Sequence, residues 1–214
     1  MDVVSSNDDL SDYKVVVAPM LYLLQSGTAE NLQKFVKNGG QLLATYFTGY
    51  VDKDTLCYLG GFPGDGLAEL FGVISEEIDT LYPSDRNSLC FLDGKKWTVY
   101  DYAEILRVQD AQILASYGTD FYEGSAALTV KEWESDTHTG ENGRAYYIAA
   151  RVAPEEMGSL FETMLANAGI AVKDLPGEVE YHQRQGEDTT YEFYLNHGKE
   201  KSLIKNVTGR NLLT

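Results

Sequence analysis

Between Val15 and Phe47 the chain spells a strand, a helix and a second strand, and this succession limits the fold more than any other feature. "VVVA" (15–18) is continuously apolar, as a strand covered on both faces should be, and Pro19 ends it because proline cannot donate to a ladder. Thr28 is placed to cap a helix in which Ala29, Leu32, Phe35 and Val36 share one face, and "NGG" (38–40) stops it. "QLLATYF" (41–47) follows as the next strand. A strand–helix–strand unit of about 30 residues predicts parallel pairing and an α/β sheet. Such sheets keep their ligand sites at the carboxyl ends of the strands.

The rest of the chain reads less evenly. Val3 and Val4 suggest the end of a short strand, and "LAELFGV" (67–73) a short helix closed by Gly72. "SLCFLDGKKWTVYDYAEILRV" predicts two strands about a turn at "DGKK", and "AQILASY" a further strand. "AALTVKEW" (126–133) and "RAYYIAARV" (144–152) predict a hairpin around a polar loop. Pro154 opens a helix with Met157, Leu160, Phe161, Met164 and Leu165 on its apolar face. "KDLPGE" reads as a linker, "VEYHQRQGEDTTYEFYLNH" as a hairpin, and "SLIKNVTGRNLLT" as one more strand.

Composition narrows the function. An apolar fraction of 43% supports a sizeable core, and 33 acidic against 17 basic residues give a net charge of -16. Such a surface repels phosphate backbones, so nucleic acid is not an expected partner. No apolar run reaches the ~18 residues of a membrane span, and "MDVVSSNDDLSD" has no basic n-region of a signal peptide. Cys57 and Cys90 form no CxxC and are expected as buried free thiols, in keeping with a cytoplasmic protein. His138, His182 and His197 lack metal-ligand spacing, so neither a metal nor a cofactor is expected.

No catalytic motif emerges. The turn after "LLATYF" carries Thr48, Gly49 and Tyr50, with no Cys or Ser elbow of the G-x-S-x-G type. "LGGFPGDG" lacks the lysine and spacing of a phosphate loop, and Pro63 removes one amide donor. The pairs Glu76–Glu77 and Glu155–Glu156 read as solvated faces rather than glycosidase carboxylates.

Several segments together resemble one family. "DDLSDYKVVVAPMLYLL", "FVKNGGQLLATYFTGYVDKDTLCYLGGFPG", "LFGV" and "GRAYYIAARV" are similar to the middle, trimerisation domain of glycoside hydrolase family 42 β-galactosidases. "LPGEVEYHQRQ", "YEFYLNH" and "GRNLLT" resemble the start of the C-terminal β-domain of the same enzymes. The resemblance implies a flavodoxin-like, class I glutamine-amidotransferase-like α/β fold with a mostly parallel sheet and flanking helices, without that fold's catalytic Cys. A short, incomplete antiparallel β module follows.

The resemblance also implies a trimerisation domain over 1–172, a linker over 173–177 and a partial β-domain over 178–214. Family members carry a further strand and helix before this point and continue beyond it. Met1 is therefore expected to begin inside one domain and Thr214 to end inside another. The parent enzymes hydrolyse terminal β-galactosides with retention on a (β/α)8 barrel, which needs ~250 residues. None of that barrel is here, so no catalytic residue is carried over. The expected partners are two further copies and the parent's barrel.

The function implied is thus an oligomerisation and support region, inactive alone. A stand-alone amidotransferase-like or hydrolase enzyme and a carbohydrate-binding module are the alternatives. If the chain assembles, the aromatic loop "YFTGYVDKDTLCYLGGFPG" is the expected contact, with Tyr50, Tyr58 and Phe62 at its centre. The opposing expectation is that these rings fold back onto their own core.

Overall fold

The computed structural model describes residues 2–54, 56–58, 60–135 and 142–212. The chain divides between Ile170 and Ala171 into a large and a small unit. In the large unit the elements begin with β1 (Val15–Ala18), β2 (Leu23–Leu24), α1 (Thr28–Lys37), β3 (Gln41–Thr45) and β4 (Val51–Asp52). Next come α2 (Leu67–Phe71), β5 (Val73–Thr80), β6 (Asn87–Phe91), β7 (Lys96–Val108) and β8 (Gln112–Tyr117). β9 (Ala126–Trp133), β10 (Gly143–Ile148), β11 (Ala150–Val152), a 3-10 turn (Pro154–Met157) and α3 (Gly158–Asn167) complete it.

The strand–helix–strand unit forms where the sequence placed it. β1 and β3 pair in parallel, Val15 opposite Gln41 and Ala18 opposite Ala44, with α1 between them in sequence. The helix buries Ala29, Leu32, Phe35 and Val36. Its N-cap, however, is Gly27 in the left-handed region. Thr28 is the first helical residue, and its buried hydroxyl lies within hydrogen-bond distance of Ser6 Oγ and Asn7 Oδ1. Val3 and Val4 lie outside any strand.

The large sheet is mixed, in the order β1-β3-β10-β9-β8-β6-β7-β11, with β5 added on β7. Within this sheet parallel pairing is confined to β1, β3 and β10; from β10 onward every neighbour is antiparallel, and the separate pair β2 and β4 is parallel. The mostly parallel sheet expected from sequence thus holds for one end only. Parallel neighbours need crossover helices, and α1 supplies that crossover between β1 and β3, whereas β6 to β9 follow one another through short turns.

The order also returns on itself. β10 and β11 are separated by Ala149 alone, yet they flank different strands. Ala149 N–H donates to the Ala127 carbonyl on β9 (2.8 Å), while its own carbonyl accepts from Glu104 N–H on β7 (2.7 Å). The run β10-β9-β8-β6-β7-β11 therefore curls into a closed ring.

Alternation along the strands fills a core on each face of the sheet. Leu42 and Ala44 join Leu32, Phe35, Val36, Leu70, Phe71 and Tyr147 under α1 and α2. Leu43 points the other way, to Trp97, Tyr117, Leu128, Ile148 and, from α3, Leu160 and Met164. Phe161 and Met157 pack against this second core, as the helical spacing foretold.

In the small unit, β12 (Val179–Gln185) and β13 (Thr190–Asn196) form the expected antiparallel hairpin. Residues 202–212 carry no strand, which corrects the reading of "SLIKNVTGRNLLT". Lys173 lies over the Tyr181 ring (3.6 Å to the centroid) and pairs with Glu192 (2.6 Å), fastening the start of this unit to its hairpin. No helix among the described residues is long and apolar enough to cross a membrane.

Candidate functional site

The carboxyl ends of β1 and β3 open onto a rim of rings. Tyr22 stacks on Tyr50 (centroids 5.4 Å apart), and Phe47 meets Tyr22, Tyr46, Tyr50 and Tyr102 at 5.2–6.4 Å. Tyr50 continues the chain of contacts to Tyr58 (5.1 Å) and Phe62 (4.9 Å). Edge-to-face geometry prevails, as the ring quadrupole favours. The three residues anticipated from sequence are thus brought together, though not in equal positions. Tyr58 is 53% exposed, Tyr50 is half-buried, and Phe62 is 4% exposed beneath them.

The backbone beneath the rim is strained at three non-glycine residues. Met20 (φ 47°), Phe47 (φ 61°) and Asp101 (φ 50°) all take the left-handed region, which costs an L-residue roughly 1–2 kcal/mol. Each follows or interrupts a strand at this end: Met20 after β1, Phe47 after β3, Asp101 at the register shift of β7 against β11. Met20 N–H is held by Thr45 Oγ1 at 2.7 Å. Asp101 carries an ion pair to Arg151. Such strain persists only where the surroundings over-determine it, and it concentrates at functional sites.

Phe47 is held by Glu104, a fully buried carboxylate that sequence reasoning missed. Phe47 N–H donates to Glu104 Oε1 at 2.5 Å, and Tyr147 O–H donates to Oε2 at 2.8 Å. Burial pushes the Glu104 carboxyl up to about 7, against the pull of these two donors. The Ser75 hydroxyl beside it adds the weakest pull and makes no hydrogen bond of ordinary geometry. Burial, and then Glu104 itself, hold the Tyr147 hydroxyl well above its usual range. Tyr117 O–H lies 3.0 Å from both the Glu104 and Ala149 carbonyl oxygens, where the ring closes. One acid within the apolar stretch "YAEILRV" was the available signal; the bulge at Asp101 hides which way it points.

The remaining candidates lie elsewhere. Phe47 stands at the turn that ends β3, and a phenyl ring cannot attack. Cys57 is exposed rather than buried, and Cys90 is half-buried 3.6 Å from Ser88 Oγ; both are free thiols. In the glycine-rich loop, Gly64 N–H donates to the Gly49 carbonyl, and the Phe62 carbonyl accepts from Ser75 N–H. Glu76 pairs with Arg107 (2.5 Å). Glu156 is not merely solvated, since both its oxygens accept from Thr98 N–H. His182 and His197 share the Glu180 carboxylate at 2.7 and 2.8 Å, and His138 lies outside the described residues.

Comparison with known proteins gives the context. Residues 1–171 match the family described as the beta-galactosidase trimerisation domain. The chain is 37% identical over 212 residues to beta-galactosidase Pbg of Clostridium perfringens, covering 95% of this chain and 30% of that protein. It is 38% identical over 205 residues to beta-galactosidase BglY of Alicyclobacillus acidocaldarius, covering 92% and 29%. The crystal structure of beta-galactosidase from Bacillus circulans sp. alkalophilus superposes with a TM-score of 0.84 at 32% identity, over 93% of this chain and 29% of that one. The chain thus spans under a third of the length of the relatives it matches. It belongs to the trimerisation-domain family of glycoside hydrolase family 42 β-galactosidases.

Proposed function

We propose that this chain is a non-catalytic oligomerisation and support region of a β-galactosidase. The observation that carries the reading is the aromatic rim at the strand ends, where Phe47 occupies the turn after β3 and Tyr22 and Tyr58 are left open to solvent. The parent enzyme would hydrolyse terminal β-D-galactosides with retention, in carbohydrate metabolism, on a catalytic (β/α)8 barrel supplied by another part of the protein. This region would hold the barrel in a homotrimer. β1, α1 and β3, with the left-handed turn at Phe47, support an amidotransferase-like, flavodoxin-like ancestry. Residues 178–214 would begin the C-terminal β-domain after a linker at 173–177. The free thiols of Cys57 and Cys90 are in keeping with a cytoplasmic setting.

In this reading Tyr50 and Tyr58 face the neighbouring copy, and Phe62 supports them from below. Aromatic residues at interface centres supply ~2 kcal/mol or more each. Tyr50→Ala with Tyr58→Ala is the informative double variant, because truncating the buried Phe62 would itself cost the fold about 3–5 kcal/mol. Light scattering should show a trimer for the wild type and dissociation for the variant at equal concentration. A wild type that stays monomeric, or a trimer indifferent to both changes, refutes this placement.

A further inference from the structure

We propose that Glu104 is a proton-operated latch on the aromatic rim. As a carboxylate it fastens the left-handed turn at Phe47; on taking a proton it loosens its hold on that turn, and the packing of the rim follows. The geometry carries this. Both partners of the carboxylate are donors, the Phe47 N–H at 2.5 Å on one oxygen and the Tyr147 O–H at 2.8 Å on the other. A carboxylate accepts both at once, whereas a carboxylic acid must turn one oxygen into a donor. The proton finds its acceptor by reversing the Tyr147 bond, and the oxygen that still accepts from Phe47 N–H no longer has a full charge to bind it.

The turn has reason to move when that hold loosens. Phe47 holds a backbone conformation that a bulky L-residue avoids, and its ring touches Tyr22, Tyr46, Tyr50 and Tyr102. A change at one amide is therefore conveyed directly to four rings. The surroundings leave the proton as the means of neutralising Glu104. β10 presents Tyr147, β8 presents the Tyr117 hydroxyl to the Glu104 backbone carbonyl, and β5 presents the uncharged Ser75. From the turn after β3, Tyr46 is the titratable neighbour. The nearby Arg151 is engaged by Asp101, and no ion pair reaches Glu104 among the described residues. Burial sets the transition near neutrality, within reach of ordinary changes in pH.

The consequence for assembly rests on the reading above; the latch does not. The test is the Phe47 amide resonance of the full 214-residue chain followed by heteronuclear NMR from pH 5.5 to 8.5. In the wild type it should move downfield on raising the pH, with one midpoint near neutral. In Glu104→Gln the transition should vanish, and in Tyr147→Phe, which removes one donor to the charged form, the midpoint should rise. A Phe47 amide that does not titrate, or titrates unchanged in Glu104→Gln, overturns the proposal. Should Glu104→Gln fail to fold, the wild-type Glu104 carboxyl carbon and the Tyr147→Phe shift decide the question alone. Sedimentation at pH 6 and pH 8 adds the second arm. Self-association whose pH response is lost in Glu104→Gln supports the coupling to assembly, and an equal response in both chains rejects it. A chain monomeric throughout refutes the interface while the amide still judges the latch.

Discussion

Replacing Gly143 with alanine should separate α1 from the sheet. A Cβ built at Gly143 would lie 1.8 Å from the Val36 carbonyl oxygen and 2.7 Å from its carbon. These are backbone atoms near the end of α1, and the same oxygen accepts a hydrogen bond from Gly39 at 2.9 Å. No side chain can rotate to relieve the clash. β10 is held by β3 on one side and β9 on the other, so the helix must yield. Reaching an ordinary C···O contact of about 3.3 Å needs a shift of about 1.5 Å. A gap of that size forfeits at least half the packing of the residues beside it.

Leu32, Phe35 and Val36 are each at most 5% exposed and each gain about 2 kcal/mol from burial. Losing half of that comes to about 3 kcal/mol. For a chain of this length the melting temperature should drop by about 6–12 °C. Gly158→Ala is the matched control: nothing lies within 4 Å of its Cβ, and its backbone is already helical. It should gain about 0.4–1 kcal/mol through the unfolded state. Thermal and urea unfolding by circular dichroism reads both. A Gly143→Ala chain melting within about 2 °C of wild type would refute the reasoning.

Glu104 also makes fold stability depend on pH. Its folded pKa, about 7, lies above the ordinary 4.5, so the native state holds the proton more tightly than the unfolded chain. That contribution is complete below about 4.5 and is lost as pH rises to about 7, a difference of about 3 kcal/mol. Urea midpoints at pH 5 and pH 8 should therefore differ more in wild type than in Glu104→Gln; equal differences would count against the buried charge. Alkylation without reductant should label both thiols, Cys57 quickly and Cys90 slowly, and an unlabelled pair would show a disulfide. Pure chain should not turn over a chromogenic β-galactoside, since the proposed function places the catalytic barrel outside it. Turnover abolished by mutating a glutamate of this chain would overturn that reading.

The parts of the fold legible in sequence were those whose pattern is local. The β1–α1–β3 unit, the β6–β7 turn, the β9–β10 hairpin and β12–β13 all announce themselves through period and turn residues. β5 did not, because Glu76 and Glu77 are exposed and a bulge between Ser75 and Glu77 breaks the alternation. Thr28 looked like a cap because hydroxyls favour that position, but Gly27 can take the left-handed turn that the helix entry uses. The rim was half legible. Its rings stood out in "YFTGY", while the contribution of Tyr22 and Tyr102 depends on strand ends that meet only in three dimensions.

Ring closure carries a consequence for how the molecule is built. Along the ladder, Tyr147 on β10 and Glu104 on β7 are separated by β9, β8 and β6. They become neighbours only because Ala149 bonds to β9 and β7 together. An open ring leaves the acid without its hydroxyl donor and Tyr117 without one of its two carbonyls. The unclosed form therefore strands polar groups in an apolar interior, where an unmet partner costs about 1–3 kcal/mol each. The buried cluster so favours one closure energetically: only the native register meets all of these groups, and a ring left open or closed one residue out of register leaves some of them unmet.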